Sequence, residues 1–135
     1  MTERSFAAED GELSNFLTFA EKELEKVGCP IKSVMSITVA LEEVFVNVAH
    51  YAYPDRSGSV NFSIDYDSES RQMIFQISDS GIPFDPLAKP DPDITLSAEE
   101  RQVGGLGIFM MKMTMDDVKY AYTDGQNVLT MKKFI

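Results

Sequence analysis

The sequence has little of three things that define large classes of protein: cysteine, basic residues and long apolar runs. It holds one cysteine in 135 residues, so neither an intramolecular disulfide nor a cysteine-based zinc site can form. Its 12 Lys and Arg face 22 Asp and Glu, and the net charge of -10 argues against direct nucleic-acid binding, which needs basic side chains. No apolar run reaches the roughly 18 residues that span a membrane, and residues 1–10 lack a signal peptide's apolar core. We therefore expect a cytoplasmic protein with neither nucleic acid nor membrane as a partner.

The remaining composition is that of a globular domain. Apolar residues make up 44% and charged residues 25%, which is enough to build one core and too apolar for a disordered chain. The sequence contains no repeat and no evident linker. It predicts a single domain over residues 1–135.

Helical periodicity is present in three segments. Apolar residues recur at helical spacing over about 10–27, and Gly28 is a typical helix terminator. A second helix is predicted between Pro30, which suits a first turn, and Pro54, which forbids continuation. A short methionine-rich helix is predicted at about 108–115, where periodicity does not separate core positions from a binding surface.

Alternation of apolar and polar residues predicts strands elsewhere. The predicted strands are a short edge strand at 5–8 and segments at about 60–65, 73–78, 118–123 and 128–134. Asp124-Gly125 is a strong hairpin signal between the last two. Because each strand has one apolar side, we expect an α+β fold: a two-layer α/β sandwich with a mostly antiparallel sheet and helices on one face.

Three short motifs could carry chemistry. On the second helix, Glu43 and Asn47 are four residues apart and so share a face, where a carboxylate could act as a base and an amide oxygen could bind magnesium. Asp79 and Gly81 follow a strand directly, where a carboxylate could accept a hydrogen bond from a flat ligand that glycine allows to approach. Each pattern alone is also common on solvated helices and in ordinary turns.

The third motif is Gly104-Gly105-Leu106-Gly107, which opens the short helix. Free N–H groups at a helix start, flanked by glycine, make an anion cradle. The motif is not a Walker loop, because no Gly-Lys-Ser/Thr follows, and no strand precedes it directly as in dinucleotide sites. The irregular segment 79–107 before it holds four prolines, and its length predicts a functional loop, with a lid at about 86–104.

The order of these motifs resembles the N, G1 and G2 boxes of GHKL ATPases. Within that superfamily, Asp-Ser-Gly-Ile-Pro-Phe-Asp-Pro at 79–86 and Gly-Gly-Leu-Gly-Ile at 104–108 look like the anti-sigma-factor serine/threonine kinases. The resemblance implies the Bergerat ATP-binding fold, with ATP and Mg²⁺ as cofactors. It further implies a lid that closes over nucleotide and a homodimer as the assembly.

The resemblance also implies roles for individual residues. Asn47 would bind magnesium, and Glu43 would take the proton from a serine or threonine of a protein substrate. Asp79 would read adenine, with Gly81 giving room for the ring. The residues expected at the phosphates are Gly105, Leu106, Gly107 and, from the lid, Arg101.

Two positions depart from the family pattern. The family often has a histidine four residues after the asparagine, where this chain has Tyr51, with His50 one position earlier. Either side chain could line the nucleotide side of the helix. The lid arginine is also displaced: the family pattern places it two residues before Gly105, where this chain has Val103, and the nearest arginine is Arg101.

The function implied is a protein kinase that phosphorylates a STAS-domain, anti-anti-sigma-type antagonist and sequesters a sigma factor or another regulator. One alternative is a nucleotide-gated binding module in which no phosphate moves. A sensor histidine kinase catalytic domain is a further alternative, although the only histidine lies in the N-box helix. A purely structural domain is the last.

Overall fold

The computed structural model describes residues 1–88 and 105–135. Within these ranges, no helix is both long and apolar enough to cross a membrane. The predicted lid lies outside the described residues from position 89 onward.

Among the described residues, five strands form one sheet in which every neighbouring pair is antiparallel. The strands are β1 (Thr2–Ala7), β2 (Ser59–Asp67), β3 (Gln72–Asp79), β4 (Asp117–Thr123) and β5 (Gln126–Phe134). Their spatial order is β1-β2-β3-β5-β4, so β1 lies at one edge as predicted. Asp124 and Gly125 both have positive φ (53° and 77°), the conformation that a tight turn between β4 and β5 requires.

In the part of the chain that the structure describes, three helices accompany the sheet. They are α1 (Leu13–Lys26), which follows a short 3-10 turn, α2 (Ile31–Asn47) and α3 (Gly105–Thr114). Gly28 ends α1 with a φ of 73°, and the N–H groups of Gly28 and Cys29 donate to the carbonyls of Glu25 and Leu24. This is the glycine-terminated ending that the sequence predicted.

The second helix changes its winding at its carboxyl end. After Asn47 the chain forms a π-helical turn, Val48–Ala52, which has a wider hydrogen-bonding loop than an α-turn. The predicted helix therefore extends nearly to Pro54, but its last five residues do not follow α-helical spacing. Such turns occur often at functional sites.

The core lies between the helices and one face of the sheet. Alternate strand residues are buried, among them Phe62, Phe75 and Met131, while Asn61 and Gln76 face the other way and are exposed. Phe16 of α1 is fully buried, and its ring centroid lies 4.6 Å from that of Phe45 and 4.5 Å from that of Phe62. Full burial of one such side chain contributes about 1.5–3 kcal/mol. These contacts fix α1 and α2 on one layer of a two-layer sandwich.

The methionine-rich helix divides its side chains between two environments. Met111 and Met115 are buried in the core, whereas Met110 and Met113 are exposed. The first pair is therefore core filling, and the second belongs to the surface.

Candidate functional site

A cleft lies where the carboxyl-terminal part of α2 meets the end of β3, the start of β5 and the start of α3. About 500 Å³ of space lies within it, part of which is open solvent. Its wall is mostly apolar, with a few polar groups. The lining residues are Val44, Asn47, Val48, Tyr51, Ala52, Ile77, Asp79, Ile82, Phe84, Pro86, Ile108, Tyr120, Asn127 and Leu129.

Asp79 provides the carboxylate of the cleft. It is the last residue of β3 and is only 7% exposed. One of its oxygens, Oδ1, accepts two hydrogen bonds of 2.9 Å, from the backbone N–H of Gly81 and from Nδ2 of Asn127. Within the described ranges no hydrogen bond is made to the other oxygen, Oδ2. The carboxylate thus has one oxygen held by the protein and one able to accept a donor from a ligand.

Asn127 is the second buried polar residue of the cleft, and it is also 7% exposed. It pairs with Asp79 across the β3–β5 register. Its amide nitrogen also donates to the carbonyl of Ile82 at 2.9 Å, and its amide oxygen accepts from the N–H of Phe84 at 3.0 Å and from the hydroxyl of Tyr120. Burial raises the pKa of that tyrosine, so its hydroxyl stays protonated.

The loop after Asp79 is held against the end of α2. The N–H of Ile82 donates to the carbonyl of Ala52 in the π-turn at 2.9 Å. The N–H of Ser80 donates to the hydroxyl of Tyr53, and the carbonyl of Ser80 accepts from Arg56, both at 2.9 Å. Asp79 is therefore positioned from both sides, by β5 and by residues 52–56, which follow α2.

Gly81 is required by this close approach. A Cβ at position 81 would lie 2.2 Å from the carbonyl oxygen of Ala52, which is backbone and cannot rotate away. The sequence suggested that this glycine makes room for a ligand ring. The structure adds a separate reason, which is the contact between the loop and the π-turn.

Glu43 and Asn47 are brought together as their spacing predicted. Their side chains are hydrogen-bonded to each other on α2, and Asn47 lines the cleft. Burial raises the pKa of the Glu43 carboxyl, the bond from Asn47 opposes this, and the neighbouring charge of Glu42 adds to it. Glu42 itself is exposed. A carboxyl with a raised pKa is a better proton acceptor once ionised.

The start of α3 lies beside this pair. A Cβ built on Gly107 would lie 1.9 Å from Cδ of Glu43, so the carboxylate packs directly on the glycine backbone. Gly105 is the first residue of α3. Helix N-termini carry unpaired N–H groups and a partial positive charge, which favour anions.

Tyr51 and His50, which stand where the sequence departs from the family pattern, have different surroundings. Tyr51 lines the cleft and is 56% exposed. His50 instead contacts Asp10, with Nε2 lying 2.8 Å from Oδ1. The tyrosine is therefore the one of the two that faces the cleft.

Of the eight predicted site residues, Asn47 and Asp79 line the cleft. Glu43 packs on Gly107, and Gly81 packs on Ala52, which is itself a cleft-lining residue. Gly105 opens the adjacent helix. Arg101 and the side chain of Leu106 lie outside the described part of the chain, so their predicted roles stay predictions.

Sequence reasoning missed Asn127 and Tyr120. A signal was available for the first, because Asn127 stands in the inward-facing alternation with Leu129 and Met131, two residues after Gly125. A polar side chain at an inward position requires a buried partner. Only the pairing of β3 with β5 identifies that partner as Asp79.

This arrangement suits a nucleotide with bound magnesium. The cleft offers an acceptor at Asp79 Oδ2 for an amino group, apolar walls for a ring, and a glycine-containing helix start for phosphates. Within residues 1–88 and 105–135, no group of three His, Cys, Asp or Glu side chains could hold a metal by itself. A single amide ligand such as Asn47 still fits magnesium, which usually keeps several waters and takes phosphate oxygens.

Comparison with known proteins identifies a family and several similar proteins. A family model for the histidine kinase-like ATPase domain matches residues 6–133. The chain is 27% identical over 115 residues to the serine-protein kinase RsbW of Listeria monocytogenes serovar 1/2a, covering 82% of this chain and 71% of that protein. It is 25% identical over 114 residues to the serine-protein kinase RsbW of Bacillus cereus strain AH820, covering 82% and 69%.

Solved structures share the fold. The RsbU and RsbW domains of Rv1364c from Mycobacterium tuberculosis match with a TM-score of 0.65 at 11% identity, over 99% of this chain and 32% of that one. The histidine kinase domain of the blue-light activated histidine kinase from Erythrobacter litoralis EL346 matches with a TM-score of 0.58 at 16% identity, over 90% and 60%. This chain therefore spans less than two thirds of either solved chain. At these identities the likeness concerns the fold.

Proposed function

Because the chain belongs to the histidine kinase-like ATPase domain family, we propose that it is an ATP-dependent serine/threonine protein kinase of the anti-sigma type. Its substrate would be a STAS-domain antagonist in a partner-switching circuit. The observation that carries the proposal is the Glu43 carboxylate, hydrogen-bonded to Asn47 and packed on Gly107 beside the cleft.

Each end of the nucleotide has a matching part of the site. The base would lie between the apolar walls with its amino group donating to Asp79, whose carboxylate is fixed by Gly81 and Asn127. The phosphates would lie at the start of α3, with Asn47 as a protein ligand of Mg²⁺. When bound, MgATP supplies the transferable phosphoryl group. Catalysis of such transfer depends mainly on positioning and charge stabilisation, which this chain's few polar groups can provide.

Glu43 is the residue that separates a kinase from a binding module. As a carboxylate beside the start of α3, it would accept the proton of a serine or threonine hydroxyl and orient that oxygen. Its raised pKa makes proton acceptance more favourable than at an exposed glutamate. Asn47 would hold the carboxylate in place through their hydrogen bond.

The relatives and the charge support the proposed wider circuit. The similar proteins from Listeria and Bacillus are serine-protein kinases. We extend their activity to this chain, with a sigma factor or another regulator as the sequestered partner, a homodimer as the assembly and the cytoplasm as the location. The net charge of -10 is consistent with a protein partner in place of nucleic acid.

The test is transfer of labelled γ-phosphate from MgATP to purified STAS-domain proteins of the same organism. Glu43→Gln and Asp79→Asn are compared with Glu42→Gln, a matched control at the exposed neighbouring glutamate. We expect label on a serine or threonine of one STAS protein, lost in the first two variants and kept in the control. If Glu43→Gln transferred as much label as the wild type, Glu43 could not be the general base.

A second outcome would identify the alternative function. If the wild type binds MgATP, Asp79→Asn weakens that binding and no STAS protein is labelled, the chain is a nucleotide-gated binding regulator. Tyr51, which lines the cleft where the family often has histidine, is the feature that favours this alternative. No binding of MgATP at all would contradict both functions.

A further inference from the structure

The structure assigns Asn127 as the residue that positions Asp79 and so determines which nucleobase the cleft accepts. This inference rests on the proposed nucleotide-binding function, and it concerns a residue that no motif of the sequence includes. The inference is based on the buried side-chain amide of Asn127, whose nitrogen donates two hydrogen bonds and whose oxygen accepts two.

The orientation of the Asn127 amide follows from its partners. Two donors point at Oδ1, the backbone N–H of Phe84 and the hydroxyl of Tyr120. Two acceptors receive from Nδ2, Asp79 Oδ1 and the carbonyl of Ile82, each at 2.9 Å. A flipped amide would oppose like groups at three of these contacts, Phe84 N–H, Asp79 Oδ1 and the Ile82 carbonyl, whereas the Tyr120 hydroxyl could accept instead, so the observed orientation is strongly favoured.

This amide connects three parts of the cleft that are distant in sequence. It ties β5 to the end of β3 through Asp79, to the loop after β3 through Ile82 and Phe84, and to β4 through Tyr120. Ile82 and Phe84 are cleft-lining apolar residues that are 51% and 37% exposed. One residue therefore sets both the carboxylate and the apolar loop beside it.

The consequence for the ligand is chemical. Because Asn127 and Gly81 occupy Oδ1 of Asp79, Oδ2 is the oxygen left to accept a donor from a ligand in the cleft that Asp79 lines. An ionised carboxylate oxygen only accepts, so it matches a base with an exocyclic amino group and opposes a base with a carbonyl there. If Asn127 released Asp79, the carboxylate would no longer be held in one position relative to the ligand, and this preference would weaken. Asn127 is thus a positioning residue that acts through Asp79.

The experiment compares binding of ATP with binding of inosine triphosphate, which has a carbonyl in place of the 6-amino group. Asn127→Asp keeps the shape but replaces the Nδ2 donor with an oxygen facing Asp79. We expect the wild type to prefer ATP, and the ratio of the two dissociation constants to fall about 10- to 100-fold in the variant. If Asn127 served folding alone, the variant would bind both nucleotides more weakly by the same factor, and the ratio of the two dissociation constants would not change.

Two further variants sharpen the test. Tyr120→Phe removes one donor to the Asn127 amide and should reduce the ratio by a smaller factor. Thr130→Val alters the same strand at a position that bonds Gln76 on the other side of the sheet, and it should leave the ratio at the wild-type value. Melting curves of each variant establish that it is folded.

The pH dependence gives an independent measurement. In Asn127→Asp the new carboxyl can donate to Asp79 again when it is protonated, so the ATP preference should return partly as the pH is lowered. A preference for ATP that is unchanged in Asn127→Asp at every pH would overturn the inference while leaving the proposed function intact. A wild type with no preference for ATP would instead contradict the proposed adenine site.

Discussion

The carboxylate of Glu43 packs on the backbone of Gly107, so that no side chain fits between the end of α2 and the start of α3. The nearest atoms that a Cβ at position 107 would meet are Cδ, Oε2 and Oε1 of Glu43, at 1.9, 2.2 and 2.3 Å. A residue of the second helix and a residue 64 positions later therefore share one contact. This contact joins the proposed base to the proposed phosphate site.

Gly107→Ala is expected to displace the Glu43 carboxylate. The added methyl would occupy its place, and a displacement of about 1 Å in such a site can reduce the rate on the order of 100-fold. Phosphotransfer to the STAS substrate measures the effect. Gly11→Ala is the matched control, because a Cβ there meets nothing within 4 Å. A wild-type rate in Gly107→Ala would show that the carboxylate need not lie where the structure places it.

Glu43→Gln is expected to stabilise the protein at neutral pH. Burial raises the pKa of this carboxyl, so between its ordinary and its raised pKa the folded state binds more protons than the unfolded state. Stability is therefore lost as the pH rises through that window, and the ionised carboxylate destabilises the fold above it. We expect the melting temperature of the variant to exceed that of the wild type by on the order of 2 °C at pH 7.5. The difference should vanish near pH 4, and the exposed Glu21→Gln should show neither effect.

The same carboxyl predicts the acid limb of the activity profile. A general base works only when ionised, so the phosphotransfer rate should rise with pH and level off above the raised pKa of Glu43. Single-turnover rates measured from pH 4.5 to 8 would give the midpoint. A midpoint below that of an ordinary glutamate carboxyl would contradict the observed burial.

Tyr53→Phe is expected to loosen the loop after Asp79. The lost hydroxyl donates to the carbonyl of Ser59 at 2.7 Å and accepts from the N–H of Ser80 at 2.9 Å. Its removal should destabilise the fold by about 1–2 kcal/mol and weaken ATP binding as well. Denaturant unfolding and nucleotide titration give the two values. Tyr66→Phe, on β2 opposite Met73 and far from Asp79, should leave nucleotide affinity unchanged.

Gly81→Ala is expected to separate the loop from the π-turn. Its methyl would clash with the carbonyl of Ala52, which also accepts the N–H of Ile82. We expect a loss of about 1–3 kcal/mol in unfolding free energy and a loss of ATP binding, measured by the same two methods. Gly11→Ala again serves as the neutral comparison. Tight ATP binding by Gly81→Ala would mean that the loop can form the site without this contact.

Local patterns predicted most of the architecture because the spacing of apolar residues within each strand and helix indicates which side of that element is buried. Phe62 and Ile64 alternate with polar residues on β2, and Ile37, Leu41 and Val44 follow helical spacing on α2, and all five are buried. Likewise, Glu43 and Asn47 were predictable as a pair because four residues on one helix bring side chains together.

The rest depends on contacts between distant segments. The partners of Asn127 come from β3, β4 and the loop at 82–84, and no local pattern specifies them. The reason for glycine at position 81 is likewise a carbonyl 29 positions earlier in the chain. Sequence spacing could identify the motif residues, but the residues that hold them required the sheet register.

The π-turn at Val48–Ala52 changes the angular position, around the helix axis, of the residues that follow Asn47. Counting four residues per turn from Asn47 is valid for an α-helix, but the wider turn shifts each later residue around the axis. Position 51 nevertheless faces the cleft, and position 50 is turned toward Asp10. A residue inserted into or deleted from this turn would rotate the end of the helix and with it the carbonyl that receives Ile82. The length of this turn, as much as its side chains, is therefore under constraint, and an alignment gap placed here would mark a change in the site.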